Sequence, residues 1–386
     1  MRRENYINQR FGSVQEDHFG DWPHGFFMPA PIERELELLP STQLVVAKAQ
    51  LELGRLAGVA MQIQNPDVLL APTLISESLS SSRIEGTQAS LSDVLSADFQ
   101  HEDITNENLR EVFNYLQALK TGVERIEEWP ITSRLFCELH TILLTGVRGQ
   151  ERSPGEIRRS PVWVGAQGLG PETATYIPPL SEHIFELLRD WELYVNEEPT
   201  QSAVIRTALM HYQFETIHPF LDGNGRIGRV LIALLLIQDR VLATPILNLS
   251  AYIERNKTEY YQRLQGVREE AKIDEWIAFF AEGVSQSAIE GCTKIQRLLE
   301  LQSKYKQQLI GDRSALRDLI DLMFSKPVLS VKLVQESLQI SQPAASKILK
   351  KAESLGWLLA KTRTGRGGKQ SWLAHEIWAA TSQEEF

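Results

Sequence analysis

Cysteine is almost absent from this chain: its 386 residues hold only Cys137 and Cys292. The two lie far apart and outside any metal or redox spacing, so neither a disulfide scaffold nor a cysteine-based metal site is indicated. Long apolar runs are missing as well. The longest, residues 230–237, is stopped by Gln238, Asp239 and Arg240, far short of the roughly 20 residues that span a bilayer. The first residues are polar and lack an apolar core, so no secretory leader is legible and cytoplasmic residence without membrane attachment is the expectation. A basic excess is lacking too. The net charge of −10 argues against nonspecific nucleic-acid binding by the whole surface. What remains is an ordinary globular composition, 42% hydrophobic and 23% charged, with room for two or three domains and a real core.

Helical periodicity dominates. After a Pro- and Gly-punctuated arm, Leu44, Val45, Ala47, Leu51, Leu53 and Leu56 predict a first helix. Leu74, Ile75, Ser78, Leu79 and Ser82 predict another. Leu135, Phe136, Leu139, Ile142 and Leu143 predict a third, with Thr132 as its N-cap after Pro130. Ile205, Ala208, Leu209 and Tyr212 predict a core helix just before residue 218. Residues 274 to about 309 read as further helix, with Trp276, Phe279, Phe280, Leu298, Leu299 and Tyr305 as buried candidates.

The most informative stretch is residues 218 to 229, His-Pro-Phe-Leu-Asp-Gly-Asn-Gly-Arg-Ile-Gly-Arg. The Gly-Asn-Gly turn leaves backbone N–H groups unobstructed, and the apolar run after it predicts a buried helix starting at the turn. Phosphate oxygens favour such a helix start. Arg226 and Arg229, three apart in the first turn, can address one anion. Asp222 suits a cation shared with phosphates, as Mg²⁺ is commonly held. His218, four residues earlier, is placed as a general base.

This string resembles the signature of the Fic family, His-x-Phe-x-Asp/Glu-Gly-Asn-Gly-Arg-x-x-Arg, with every fixed position filled. The resemblance implies transfer of AMP from ATP to a Tyr, Ser or Thr hydroxyl of a target protein. It implies His218 as the base, Asp222 as the Mg²⁺ ligand, and Gly223, Asn224 and Gly225 as the anion hole. Arg226 would then contact the phosphate tail and Arg229 the γ-phosphate. Gly225 stands where a kinase-like relative carries lysine, which favours AMP transfer. Nucleotide diphosphate alcohols such as CDP-choline, used by other relatives, stay open as substrates.

Residues 81 to 86, Ser-Ser-Arg-Ile-Glu-Gly, resemble the family's inhibitory pattern Ser/Thr-x-x-x-Glu-Gly/Asn. Ser81 and Glu85 share a helix face. The resemblance implies that Glu85 pairs with Arg229 where a γ-phosphate would sit. Phe27-Met-Pro-Ala-Pro31 also matches the N-terminal region of stand-alone bacterial members. Pro154-Gly-Glu-Ile-Arg158, Val162-Trp-Val-Gly165 and Tyr176-Ile-Pro-Pro179 are similar to the family's flap, a short hairpin that pairs with a target backbone. Val162, Trp163 and Val164 would be its strand and Gly165 its turn, an ordinary surface loop being the alternative. Tyr260 and Tyr261 resemble tyrosines that line an adenine pocket, although paired aromatics on a helix also suit a core.

Beyond Gly311 the pattern changes. Leu316, Leu319, Ile320 and Met323 predict one helix, Val331, Leu333, Val334 and Leu338 a second, and Ala344, Ile348, Leu349 and Ala352 a third. A tight turn, Gln339-Ile-Ser341, joins the last two, and Thr362-Arg-Thr-Gly-Arg-Gly-Gly-Lys369 follows. The arrangement resembles a winged helix-turn-helix. Lys347, Lys350, Lys351, Lys361, Arg363, Arg366 and Lys369 stand there against Glu353. Read as DNA contact, Gln342, Ser346 and Lys350 face a groove and Arg363 or Arg366 reaches phosphates. Docking of a protein, or of a second copy, is the equal alternative.

The fold expected is mainly α: a Fic-type helical bundle with a small β-hairpin flap, plus a C-terminal winged helix-turn-helix. Residues 1–110 are assigned to the arm and inhibitory helix, 111–310 to the catalytic helical domain and 311–386 to the winged helix. The function expected is an ATP- and Mg²⁺-dependent protein adenylyltransferase, acting on target proteins and itself, and inhibited by Glu85. Family resemblance also makes a homodimer reasonable. Two rivals stay open: an enzyme that removes AMP, and a nucleotide-sensing DNA-binding regulator.

Overall fold

The computed structural model describes residues 1–18, 20–63, 65–96, 106–165, 168–310, 314–361 and 370–381. A two-stranded antiparallel hairpin, β1 (Gly12–Gln15) and β2 (Phe26–Pro29), opens the chain. Helices follow: α1 (Pro40–Ala60), α2 (Pro66–Leu69), α3 (Ala71–Ile84), α4 (Leu91–Ser96), α5 (Glu107–Ile126) and α6 (Ser133–Leu144). After a long loop come α7 (Ser181–Asn196), α8 (Ala203–Ile217), α9 (Asn224–Gln238), α10 (Leu249–Arg255), α11 (Lys257–Glu270) and the long α12 (Ile273–Gln308). The C-terminal unit is α13 (Leu316–Ser325), β3 (Val328–Ser330), α14 (Val331–Leu338), α15 (Gln342–Ser354), β4 (Leu359–Lys361), β5 (Ser371–Leu373) and α16 (His375–Thr381). Its sheet is antiparallel in the order β3-β5-β4. No helix of the described residues is long and apolar enough to cross a membrane.

The centre of the bundle is the pair α8 and α9. Nearly every side chain of both is buried, Val204 and Arg206 as much as Leu231 and Leu235, which is the mark of a helix enclosed on all sides. α1 lies along α12. Of the residues that predicted this helix, Leu53 and Leu56 face inward with Val46 and Ala49, while Leu44 and Leu51 are 73% and 64% exposed. The period was legible, but its phase is set by the partner helix. Thr132 takes the extended N-cap conformation without a side-chain bond; the carboxylate of Glu192 in α7 accepts from the Ser133 amide instead, at 2.6 Å. An acceptor from another helix thus serves the amide that a local cap would have served.

The three helices expected past residue 311 are present, and Gln339, at the turn joining α14 to α15, adopts φ +51°. The apolar core runs unbroken from α8 and α9 through α12 to Phe324, Trp357 and Trp372. Tyr305 stacks on Trp357 with ring centroids 4.9 Å apart, and Glu376 accepts from Lys304 and Tyr305 at 2.7 and 2.9 Å. The C-terminal unit is therefore fastened to the end of α12. Arg363, Arg366 and Lys369, assigned to the wing from the sequence, lie outside the described residues, as does Gly311.

Candidate active site

α8 ends where His218 turns left-handed, φ +53° and ψ +62°. A non-glycine residue is uncommon in that conformation, and four hydrogen bonds hold the corner. The His218 amide donates to the Phe214 carbonyl at 2.9 Å. The buried Arg158 guanidinium donates to the His218 carbonyl at 2.8 Å and to the Pro179 carbonyl at 2.5 Å, and the Arg158 amide donates to the Pro219 carbonyl at 2.9 Å. Burial, with Arg158 and Arg268 nearby, pushes the His218 imidazole down to about 3. It is therefore neutral at ordinary pH, with one ring N–H directed to the Glu215 carbonyl and the other nitrogen left to accept a proton.

The loop to α9 is pinned at each step. Asn224 accepts from the Phe220 amide and donates to the Phe220 carbonyl, both at 2.8 Å, so its side chain shapes the loop and leaves its backbone N–H to the turn. His140 of α6 stacks on Phe220 with centroids 3.8 Å apart, accepts from the Gly155 amide at 2.8 Å and donates to the Asp222 carbonyl at 2.9 Å. Gly223 has φ +76°, and a Cβ there would approach His140 Nε2 to 3.2 Å. The start of α9 thus has no side-chain cap, which leaves its amides directed outward.

Asp222 is 40% exposed, and its Oδ1 accepts from the Gly223 amide at 2.6 Å and from Arg226 at 3.4 Å. Oδ2 remains for a cation. Among the described residues no group of three or more His, Cys, Asp or Glu side chains could hold a metal. A single carboxylate therefore fits Mg²⁺ only where phosphate oxygens and water complete the coordination. Arg226 is 1% exposed, yet its Nε and Nη1 have no protein partner.

Arg229, one turn later, is engaged through Nε and Nη2 by the end of α3. Its Nε donates to Ser81 Oγ at 2.8 Å, and its Nη2 donates to the Ser81 carbonyl at 3.0 Å and Glu85 Oε1 at 2.8 Å. Burial opposes charge on both partners, but the pairing prevails: Glu85 is held below the usual carboxylate range and Arg229 above its own. Gly225 makes the approach possible, because a Cβ there would stand 2.4 Å from Glu85 Oε1.

The remaining candidates separate. Tyr260 is buried and pairs with His211 Nε2 at 2.9 Å among Trp276 and Phe279, whereas Tyr261 is 43% exposed. In the flap, Val164 and Tyr176 form one isolated antiparallel bridge in place of a regular hairpin, with N–O distances of 2.8 and 3.1 Å. Trp163 and Val164 are exposed, and Trp163 Nε1 donates to the Leu169 carbonyl at 2.9 Å. Gly165 follows as a bend.

Sequence reading missed His140, the part Arg158 plays, and two buried acids. Glu77 of α3 accepts from Tyr115 at 3.1 Å and from the Ser250 amide at 3.0 Å, with its carboxyl pushed up by burial. Its four-residue spacing from Ser81, and that of Ser81 from Glu85, was the available signal. Glu215 is pushed up to about 7 by burial.

Models of the Fic/DOC family N-terminal region and of the Fic/DOC family match residues 44–124 and 130–236. The chain belongs to the Fic/DOC family. The protein adenylyltransferase Fic of Drosophila grimshawi is 30% identical over 185 residues, 47% of this chain and 33% of that protein. The protein of the same name from Drosophila ananassae is 31% identical over 159 residues, 41% of this chain and 28% of that one. The matched region is thus about a third of those relatives' length. A solved Fic family protein from Desulfovibrio desulfuricans G20 shares the fold at a TM-score of 0.56 and 20% identity, covering 89% of this chain and 98% of that one. Fic-1 from C. elegans does so at 0.52 and 22%, covering 69% of this chain and 75% of the other.

Proposed function

We propose that this Fic protein transfers AMP from ATP to a Tyr, Ser or Thr hydroxyl of a target protein, and of itself, and that Glu85 holds the activity down. One observation carries the reading: the buried Arg226 guanidinium keeps two donors without protein partners at the start of a helix that a short loop joins to the neutral imidazole of His218. Buried donors left unmade cost free energy that a phosphate would recover. In the proposed reaction the hydroxyl oxygen attacks the α-phosphorus, the bond from that phosphorus to the bridging β-oxygen breaks, and pyrophosphate leaves. The hydroxyl proton passes to the free nitrogen of His218. The Asn224 and Gly225 amides donate to phosphate oxygens, joined by that of Gly223 once Asp222 Oδ1 releases it, Arg226 steadies the tail, and Arg229 takes the γ-phosphate once Glu85 releases it. Asp222 would hold Mg²⁺, which supplies charge neutralisation when bound. Tyr261, backed by Tyr260, borders the adenine, and residues 162–165 align the target backbone.

The test is labelling from α-³²P-ATP by the wild type, Glu85→Gly and His218→Ala, alone and in lysate. Labelling should rise in the first variant and vanish in the second. Net release of AMP from a pre-modified target would assign the reverse reaction instead, with Glu85 positioning a water. We further propose the division at residues 110 and 310, and a winged helix from 311 that docks DNA or protein. Supporting it, α15 follows the α14 turn and exposes Lys347, Lys350 and Lys351. A homodimer is proposed with it, to be checked by light scattering.

A further inference from the structure

α3 carries two opposed sets of contacts. Glu77, Ser81 and Glu85 follow one another by four residues toward Tyr115, Ser250 and Arg229. Ile75 and Leu79 lie about 140° around the helix from them, by its 3.6-residue turn, and are 4% and 3% exposed. These two side chains belong to a separate apolar cluster with Leu91 and Val94 of α4, Val112 of α5, Leu373 of β5 and Trp378 of α16. Leu373 and Trp378 of the C-terminal unit thus share one apolar cluster with the far side of the helix that presents Glu85, and α13 of the same unit packs on that helix.

That unit is anchored elsewhere. Trp372, adjacent to Leu373 and on the opposite face of the strand, donates from Nε1 to Glu353 of α15 at 2.9 Å. Glu376 of α16 accepts from Lys304 and Tyr305 of α12. Trp357 donates to Gln308 at 2.5 Å, and α13 packs on α2 and α3. α3 is thus confined between Arg229 in front and a braced apolar surface behind.

We infer that β5 and α16 prop the inhibitory helix, so that the Glu85 contact with Arg229 depends on the Leu373 and Trp378 side chains of the C-terminal unit. The inference rests on the inhibitory reading of Glu85. Removing the Trp378 ring thins the apolar cluster to which Ile75 and Leu79 belong without altering any group of the Arg229 pair itself. The closed arrangement loses support that an open one does not use, and the balance shifts by that difference.

The test is self-labelling from α-³²P-ATP by the full chain, at one temperature below the melting point of every variant. Trp378→Ala should raise labelling several-fold above wild type, and Trp378→Leu by less. The double variant Trp378→Ala/Glu85→Gly should label no faster than Glu85→Gly alone, because no closed contact remains to be propped. Val334→Ala, a core truncation in α14 outside this cluster, controls for loss of stability and should label as the wild type does. If Trp378→Ala does not fold, Trp378→Leu and Leu79→Val carry the comparison. Wild-type labelling in the folded Trp378 or Leu79 variants, while Glu85→Gly is raised, overturns the prop. So does a rise in the double variant beyond Glu85→Gly, or an equal rise in Val334→Ala. No rise in Glu85→Gly itself would mean that the inhibitory reading has failed, and the prop with it.

Discussion

Arg226 and Arg229 stand one turn apart at the start of α9, and both are buried, at 1% and 3% exposure. Around Arg229 the protein supplies a hydroxyl, a carbonyl and a carboxylate; around Arg226 it leaves two donors unmade. One guanidinium is engaged from within the chain, while the one nearer Asp222 keeps unmet donors. In the proposed function this restrains a phosphate site at one end only: a nucleotide would enter while its terminal phosphate is denied its cation.

The largest effect should come from the reacting end. In a Glu85→Gly background, His218→Ala should lower labelling by roughly 10²- to 10⁴-fold, the usual weight of a general base, with ATP still bound in a filter assay. Persistent labelling would require another base. Opening the filled end comes next. A site closed about 99% of the time needs a gap of only about 2.7 kcal/mol, so Glu85→Gly should raise labelling by up to about 100-fold. Unchanged labelling would erase the contrast between the arginines.

Replacing the two cations separately sharpens it. Arg226→Ala removes a charged phosphate donor and should weaken ATP binding by about 10- to 100-fold, from roughly 1.5–3 kcal/mol per charge-assisted bond, while melting little earlier without ligand. Arg229→Ala, by contrast, strands Glu85 and Ser81 and should lower the apo melting temperature.

Acid stability should register the same burial. His218 and His211 are pushed down to about 3 and His140 to about 4, so below the ordinary value of 6.5 the unfolded chain binds protons that the fold refuses. Stability contributed by these groups is present above about pH 6.5 and is lost on acidification toward 4. Glu215, pushed up to about 7, opposes them: between its ordinary value of 4.5 and 7 the fold binds the extra proton, and its contribution falls as pH rises. Glu77 and Asp239, also pushed up by burial, act in the same sense as Glu215; where the three histidines prevail the melting temperature should fall between pH 6.5 and 4, and Glu215→Gln should steepen that fall. The smallest effect lies farthest from the arginines. If α15 docks a duplex, replacing Lys347, Lys350 and Lys351 with Gln should reduce the slope of log affinity against log salt by at most about 0.9 for each phosphate no longer neutralised.

Much of the site was legible because its chemistry is contiguous. Twelve residues hold the base, the carboxylate, the turn and both cations, and the run after them ensured that a buried helix begins there. The Ser81 to Glu85 spacing was readable for the same reason, since a four-residue step stays on one helix face. Helix positions were likewise local facts. Less was legible wherever a residue's meaning depends on a distant element. Arg158 reads as one more flap residue until it is seen to hold the left-handed corner at His218. His140 reads as part of an apolar stripe until it is stacked on Phe220. Among the described residues the expected flap strand is one bridge, in which Val164 pairs with Tyr176 and its carbonyl also accepts from the Thr175 amide.

The sequence alone determined the family, the mainly helical class and the set of polar groups gathered at the start of α9, because spacing along a chain dictates which side chains share a turn or a face. Tertiary structure decided which face of α1 is buried, that Glu192 serves the start of α6, that Arg229 is satisfied while Arg226 is not, and that the C-terminal unit rests on α3. Burial and hydrogen bonding are settled between elements far apart in sequence, and no local pattern of residues carries that information.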